Sequence, residues 1–215
     1  MRTRNVAAAA SAVGVATVAS VLVLSGGSPA PSPSTGPAAG NEHAAAGSSA
    51  VTRSRSARKD CSSRSEAQFP AAFTSPGNLV VGPLVLVGGG AYTPASTVRE
   101  FGGQKFPLLV KAGHTVTVQL APRGQRVAGL AYSHGPRTLD NTATRVTFVA
   151  CRPGRAPRRY SPNGPSESSA DGVAVTFWSG FVLTRTPSCV PLDIYVDNEP
   201  SPRRVGLSLG RRCRR

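Results

Sequence analysis

Four cysteines constrain this chain more than any other feature, because all of them follow an N-terminus built for export. Cys61 and Cys213 stand at the two ends of the region able to fold, and Cys151 and Cys189 lie inside it. No Cys-x-x-Cys pair occurs, so the spacings of structural zinc and of dithiol redox centres are absent, and no metal or other cofactor is expected. An even cysteine count behind an export signal reads as structural disulfides made in an oxidising compartment. Of the three pairings that four cysteines allow, the expected one joins Cys151 to Cys189 and Cys61 to Cys213. Cys151 ends one apolar run and Cys189 begins another, and the outer bridge would tie the domain's termini together.

The export reading rests on Arg2 and Arg4 ahead of an apolar run at 6–24, which makes 1–24 a signal peptide or signal anchor. The run approaches the ~20 residues that span a bilayer, so a single-pass membrane anchor is the alternative to cleavage. Ser28-Pro29-Ala30 resembles a cleavage site, with Pro31 directly after it. Leu24-Ser25-Gly26-Gly27 has the outline of a lipobox, but glycine stands where the lipidated cysteine belongs, which argues against a lipid anchor. Either fate leaves the rest of the chain extracytoplasmic, secreted or anchored at the cell envelope.

Residues 25–60 are Ser, Pro, Gly and Ala ending in a basic cluster. Such a segment buries too little apolar surface to offset the entropy of ordering it, so a disordered linker is expected. Residues 61–215 are long enough for one domain with its own core. Short apolar runs alternate there with turn residues, and no convincing helix follows Leu24, which predicts an all-β, disulfide-stapled β-sandwich of about eight strands. Val116, Val118 and Leu120 share one face, as do Val146, Phe148 and Ala150, then Val190, Leu192, Ile194 and Val196, then Val205, Leu207 and Leu209. Lys111-Ala112-Gly113 reads as the turn of a hairpin leading into the strand at 114–120. Leu79 to Val87 is apolar throughout, as in a strand buried on both faces, with Gly82-Pro83 demanding a bulge or an edge. Val127–Tyr132 and Val173–Leu183 complete the set. The stretch 152–171, with Arg152, Arg155, Arg158, Arg159 and Tyr160, reads as one long loop, either disordered or a basic contact surface.

The strings NLVVGPLVLVGGG, FGGQKFPLLVKAGHTVTV, VTFVACRPG, VTFWSGFVLTRTPSCVPLDIYVD and SPRRVGLSLGRRC resemble a group of uncharacterised secreted proteins of actinobacteria, from Cys61 to Cys213. The resemblance implies export and paired cysteines, and it transfers no catalytic residue.

Catalytic patterns are sparse. Ser133 and His134 are adjacent after a strand, yet no Gly-x-Ser-x-Gly elbow surrounds them. His114 sits beside Gly113, where a turn role is the ordinary expectation. Asp193 and Asp197 share a strand face about 13 Å apart, too far for a glycosidase pair. Val87-Gly88-Gly89-Gly90 lacks the Lys-Ser/Thr of a phosphate loop. Trp178, the only tryptophan, would be a partly exposed sugar-stacking platform if Phe177 and Phe181 face the core, and a packing residue near Cys151 otherwise.

The net charge of +15 comes almost wholly from arginine. Basic residues are not interleaved with aromatics, so a nucleic-acid partner is not expected. With Cys61 bonded to Cys213, Arg53, Arg55, Arg58 and Lys59 would meet Arg211, Arg212, Arg214 and Arg215 in one polybasic pole. The favoured expectation is therefore a non-enzymatic domain binding an anionic envelope component, either wall polymer or lipid headgroups. The alternatives are an extracytoplasmic hydrolase using Ser133 and His134, and a protein-binding or inhibitor domain using the Arg-rich loop.

Overall fold

Burial that alternates along some strands and is continuous along others decides which sheets are covered once and which twice. The structure, a computed structural model, describes residues 55–154 and 168–214. The signal or anchor at 1–24, nearly all of the linker, Arg53, Arg215 and the 155–167 part of the long loop lie outside the described residues. In chain order the strands are β1 (Ser56–Lys59), β2 (Gln68–Phe69), β3 (Leu79–Val81), β4 (Leu84–Leu86), β5 (Gly103–Lys105), β6 (Leu108–Lys111) and β7 (Thr115–Leu120). They continue as β8 (Ala128–Ala131), β9 (Arg145–Val149), β10 (Ser168–Ala170), β11 (Val173–Trp178), β12 (Phe181–Thr184), β13 (Ser188–Val196) and β14 (Arg203–Leu209). The first sheet runs β1-β9-β7-β13-β14, the second β2-β10-β11-β6-β4-β3, and a third, β5-β12-β8, has three strands.

The fold is all-β and sandwich-like. Val116, Val118, Val146, Phe148, Ile194 and Leu207 of the first sheet share a core with Leu84, Leu108, Val110 and Trp178 of the second, and Leu130 and Val182 of the third join it. Each such side chain stabilises the fold by about 1.5–3 kcal/mol when removed from water. The second sheet is covered on its other face too: Val85, Leu109 and Val175 pack under Ala72 and Phe73. That is why β4 is buried at every residue and β6 at all but its last.

Among the described residues fourteen strands replace about eight: two expected strands are each divided, and β1, β2, β5 and β10 are additional. Leu79 to Val87 is a hairpin, not one strand. Gly82, at φ +58°, and Pro83 form its turn between the paired Val81 and Leu84. Val173–Leu183 divides at Ser179-Gly180, so β11 belongs to the second sheet and β12 to the third. Lys111-Ala112-Gly113 is not a hairpin turn either. β6 pairs with β4 and β11, and β7 with β9 and β13, so this turn is an arch from one sheet to the other. Two short helices also appear, α1 (Ala95–Phe101) and α2 (Pro122–Gln125). α1 buries only Val98 and stops at Gly102 in the left-handed region, whose N–H reaches Val98 O. Strand β10, at Ser168–Ala170, lies inside the stretch read as loop.

The disulfides are Cys61–Cys151 and Cys189–Cys213, not the expected pairs. The cause is β1, whose polar residues had placed it in the linker. β1 runs parallel to β9 with Lys59 opposite Phe148, so the chain leaves both strands side by side and brings Cys61 to Cys151. At the other edge, Cys189 lies opposite Ser208 of β14, and the chain turns back after Gly210 to bring Cys213 over Gly206. Two formed disulfides and no free cysteine among the described residues are the chemistry of an oxidising, extracytoplasmic setting. No helix among the described residues is long and apolar enough to cross a membrane.

Candidate functional site

The corner between β11 and β12 makes a concave surface out of residues distant in sequence. A cleft of about 240 Å³ opens there, walled by Lys59, Ser63, Ser65, Ser133, His134 and Arg137, with Trp178 and Tyr132 at its base. Two lengths of backbone, 133–135 and 178–181, complete the wall. No carboxylate lines it among the described residues.

Lys59, Ser63 and Arg137 are each held for a local reason. Ala57 and Lys59 are on the inward face of β1, opposite Val146 and Phe148, so the Lys59 stem runs along the core edge while its ammonium reaches the cleft. Burial pushes that ammonium below the ordinary lysine range, with the Asp60 charge pulling the other way. The Asp60 carboxylate itself points away: it caps the single helical turn Cys61–Ser63, accepting from Ser62 N at 2.9 Å and Ser62 Oγ at 2.6 Å. Those bonds, the hydroxyl first, hold its carboxyl below the usual range. Ser63 Oγ closes the cap by accepting from Asp60 N at 3.2 Å. Cys61, bonded to Cys151, rivets this turn to the end of β9. Arg137 lies with its guanidinium 4.0 Å from the centre of the Phe181 ring, an arrangement that holds a cation without neutralising it.

The base is rigid. Tyr132 is buried, its hydroxyl donates to Phe106 O at 2.8 Å, and burial pushes its phenol well above the ordinary range. Its ring lies against Gly180, where a Cβ would come within 2.1 Å of Tyr132 Cδ1, and meets Phe148 edge-on at 5.0 Å. Trp178 is only 2 % exposed, packs on Phe148 at 5.2 Å and donates its indole N–H to Asp60 O at 3.2 Å. It is therefore not an exposed stacking platform. The parity that suggested one assumed a single buried face, whereas Phe177 on the opposite face is buried as well, edge-on to Phe69 at 4.7 Å.

Three separate expectations meet here: Lys59 from the basic set, the Ser133–His134 pair, and Trp178. Arg137, Ser63, Ser65 and Ser179 were not singled out from sequence, and only the β11–β12 corner reveals them. Ser133 and His134 are exposed, and no hydrogen bond joins them among the described residues. Among the described residues no carboxylate lines the cleft beside the imidazole, so those residues do not by themselves make an acyl-transfer triad. His114 follows the arch rather than a hairpin turn: its backbone N–H donates to Lys111 O at 3.3 Å, and its Nδ1 lies 2.9 Å from Asp197 Oδ2.

The polybasic pole is not built by the disulfides. Arg58 is on β1 and the tail bearing Arg211, Arg212 and Arg214 follows β14, the opposite edge of the same sheet, about 19 Å away at ordinary strand spacing. Arg55 instead donates to the carbonyl of Asp140, and Arg212 stacks 5.0 Å from the Tyr92 ring centre. No protein-family model matches the chain, no curated protein matches it, and no solved structure matches it.

Proposed function

We propose that this is an exported, non-enzymatic binding domain that takes an anionic group of an envelope component, a phosphate or carboxylate, into the Lys59–Arg137 cleft. The observation that carries this reading is the wall itself: two cations, an imidazole and serine hydroxyls, with no carboxylate among the described residues. Hydroxyls and backbone N–H groups can saturate an anion's oxygens while the cations neutralise it. At about 4 Å and an effective dielectric of about 20, each cation attracts a unit charge by about 4 kcal/mol, much of it offset by desolvating both partners. The rigid base of Tyr132 and Trp178 holds the wall in place before the ligand arrives, which lowers the ordering cost of binding. Residues 1–24 would export or tether the domain, as in the secreted actinobacterial proteins it resembles, and so bring the cleft to the cell envelope.

Trp178 is the only tryptophan and forms the cleft's base, so its fluorescence reports occupancy directly. Titration with inorganic phosphate and glycerol phosphate should shift its emission, and Lys59→Ala or Arg137→Ala should weaken binding roughly ten- to hundredfold. Anionic vesicles and isolated wall polymer, offered as competitors, separate the two sources of the anion. Ser133→Ala removes one of several wall hydroxyls and should weaken binding only about two- to tenfold. Covalent capture of Ser133 by a fluorophosphonate, lost in His134→Ala, would replace this reading with the hydrolase.

A further inference from the structure

The outward face of the five-stranded sheet carries a second surface with a different shape. Because Val146, Val118 and Ile194 point to the core, their alternates Arg145, Gln119 and Asp193 point away from it and stand in one cross-strand row, with Arg204 next to Asp193 on β14. A neighbouring row reads Arg58, Thr147, Thr117 and Tyr195. Thr117 and Thr147 are hydrogen-bonded through their hydroxyls at 2.9 Å, and the Arg145 guanidinium lies 5.8 Å from the Tyr195 ring centre. Beside β13 lies a shallow depression of about 340 Å³, whose apolar surface is chiefly Pro122 and Pro191, with Val205 at its edge, and whose rim carries Arg123, Arg204 and Asp193.

Charge on this face is unbalanced. Asp193 is its one acid in these rows, and it is already matched by Arg204 at 3.6 Å. Arg58, Arg123 and Arg145 form no ion pair among the described residues. An outward sheet face that served only solubility would interleave both signs. This one sets unmatched guanidinium groups from β1 to the flank of β13, about 14 Å, the width of four strands.

We propose that this face binds an extended anionic polysaccharide, independently of the cleft. The apolar surface of the depression takes the apolar face of a sugar ring, the arginines take carboxylate or phosphate substituents along the chain, and Thr147 and Gln119 take ring hydroxyls. A nucleic acid would need more stacking aromatics than Tyr195 alone. A bilayer would need protruding apolar side chains, yet the exposed ones, Val80, Tyr92, Phe101 and Val173, all lie off this sheet.

The test uses the full chain with polygalacturonate as the polymer, its methyl-esterified form as the neutral control and trigalacturonate as a short one. Binding should need the free carboxylates, strengthen from trimer to polymer, and weaken with salt. Arg58→Ala, Arg123→Ala and Arg145→Ala should each lower affinity about fivefold, as expected for one basic side chain near an anionic surface. Each should also reduce the salt slope by about one. Arg145→Glu should do more, with unchanged thermal unfolding showing the fold intact. The cleft variant Lys59→Ala/Arg137→Ala should bind polymer normally, so failure here and failure of the cleft reading are distinguishable. The proposal is overturned by equal binding of the esterified polymer, by wild-type affinity in the arginine variants, or by loss of polymer binding in the cleft variant alone. Concentration-dependent self-association abolished by Arg145→Glu would overturn it as well, assigning the face to a second copy.

Discussion

Removing each disulfide separately should have unequal and computable consequences. Cys61–Cys151 closes a sequence separation of 90 residues and Cys189–Cys213 one of 24. In the chain-entropy treatment these constrain the unfolded chain by about 4.6 and about 3.5 kcal/mol. For a folded region of this size, 1 kcal/mol moves the midpoint by about 2–4 °C, so Cys61→Ala/Cys151→Ala should melt about 9–18 °C lower and Cys189→Ala/Cys213→Ala about 7–14 °C lower. Function should separate the two further. Cys61 holds the turn that carries Ser63 beside Lys59, so its loss should weaken cleft binding even well below the melting temperature. Cys189–Cys213 lies over Gly206 on the outward face of the first sheet, and its loss should leave the cleft intact. Differential scanning calorimetry and the Trp178 titration read the two effects. A Cys189–Cys213 variant less stable than the Cys61–Cys151 variant, or non-reducing peptide mapping that recovers Cys61 joined to Cys213, would refute this loop-length ranking.

Three further outcomes follow from the same packing. Tyr132→Phe removes the hydroxyl donating to Phe106 O inside the core and should cost about 1–2 kcal/mol in denaturant unfolding. Gly180→Ala drives a Cβ into the Tyr132 ring and should cost about 1–3 kcal/mol or more, with partial rescue by Tyr132→Ala. Asp197 is held below the usual carboxylate range by the Thr115 N–H, then by His114. A depressed folded-state value means its stabilisation is present above the unfolded pKa of about 3.9 and is lost as pH falls through the folded value. Asp197→Asn tolerates the same φ of +49° and should therefore flatten the decline of thermal stability across that acid window.

The sequence was legible where one sheet face is buried and the other is wet. In β7, β9, β13 and β14 the core face expected from Val116, Val146, Val190 and Leu207 is the one observed, with Thr117 and Asp193 also buried on the outward face by their cross-strand neighbours. It misled where both faces are covered. In β11, Val175 and Trp178 are buried on opposite sides, so parity could not say which face Trp178 took. β1 gave no signal, because Ser56–Lys59 is a polar edge strand stabilised by pairing with β9 and by Ala57 alone against the core. Missing it misassigned Cys61's partner and, with it, the basic pole. Gly102 after α1 is a readable stop, but seven residues with one buried side chain show no period. Of the cleft, Lys59, Ser133, His134 and Trp178 were each visible in isolation. Their convergence depends on the turn at Ser179-Gly180 that carries the chain from one sheet to another, which no local pattern encodes.

The most direct test of the central claim is a crystal of the domain soaked in selenate, an anion located unambiguously by its anomalous scattering. The account predicts selenate inside the cleft, bonded to Lys59 Nζ and the Arg137 guanidinium and absent in Lys59→Ala/Arg137→Ala. Selenate found only at exposed arginines such as Arg211 and Arg212, with the cleft unoccupied at saturating concentration, would contradict it.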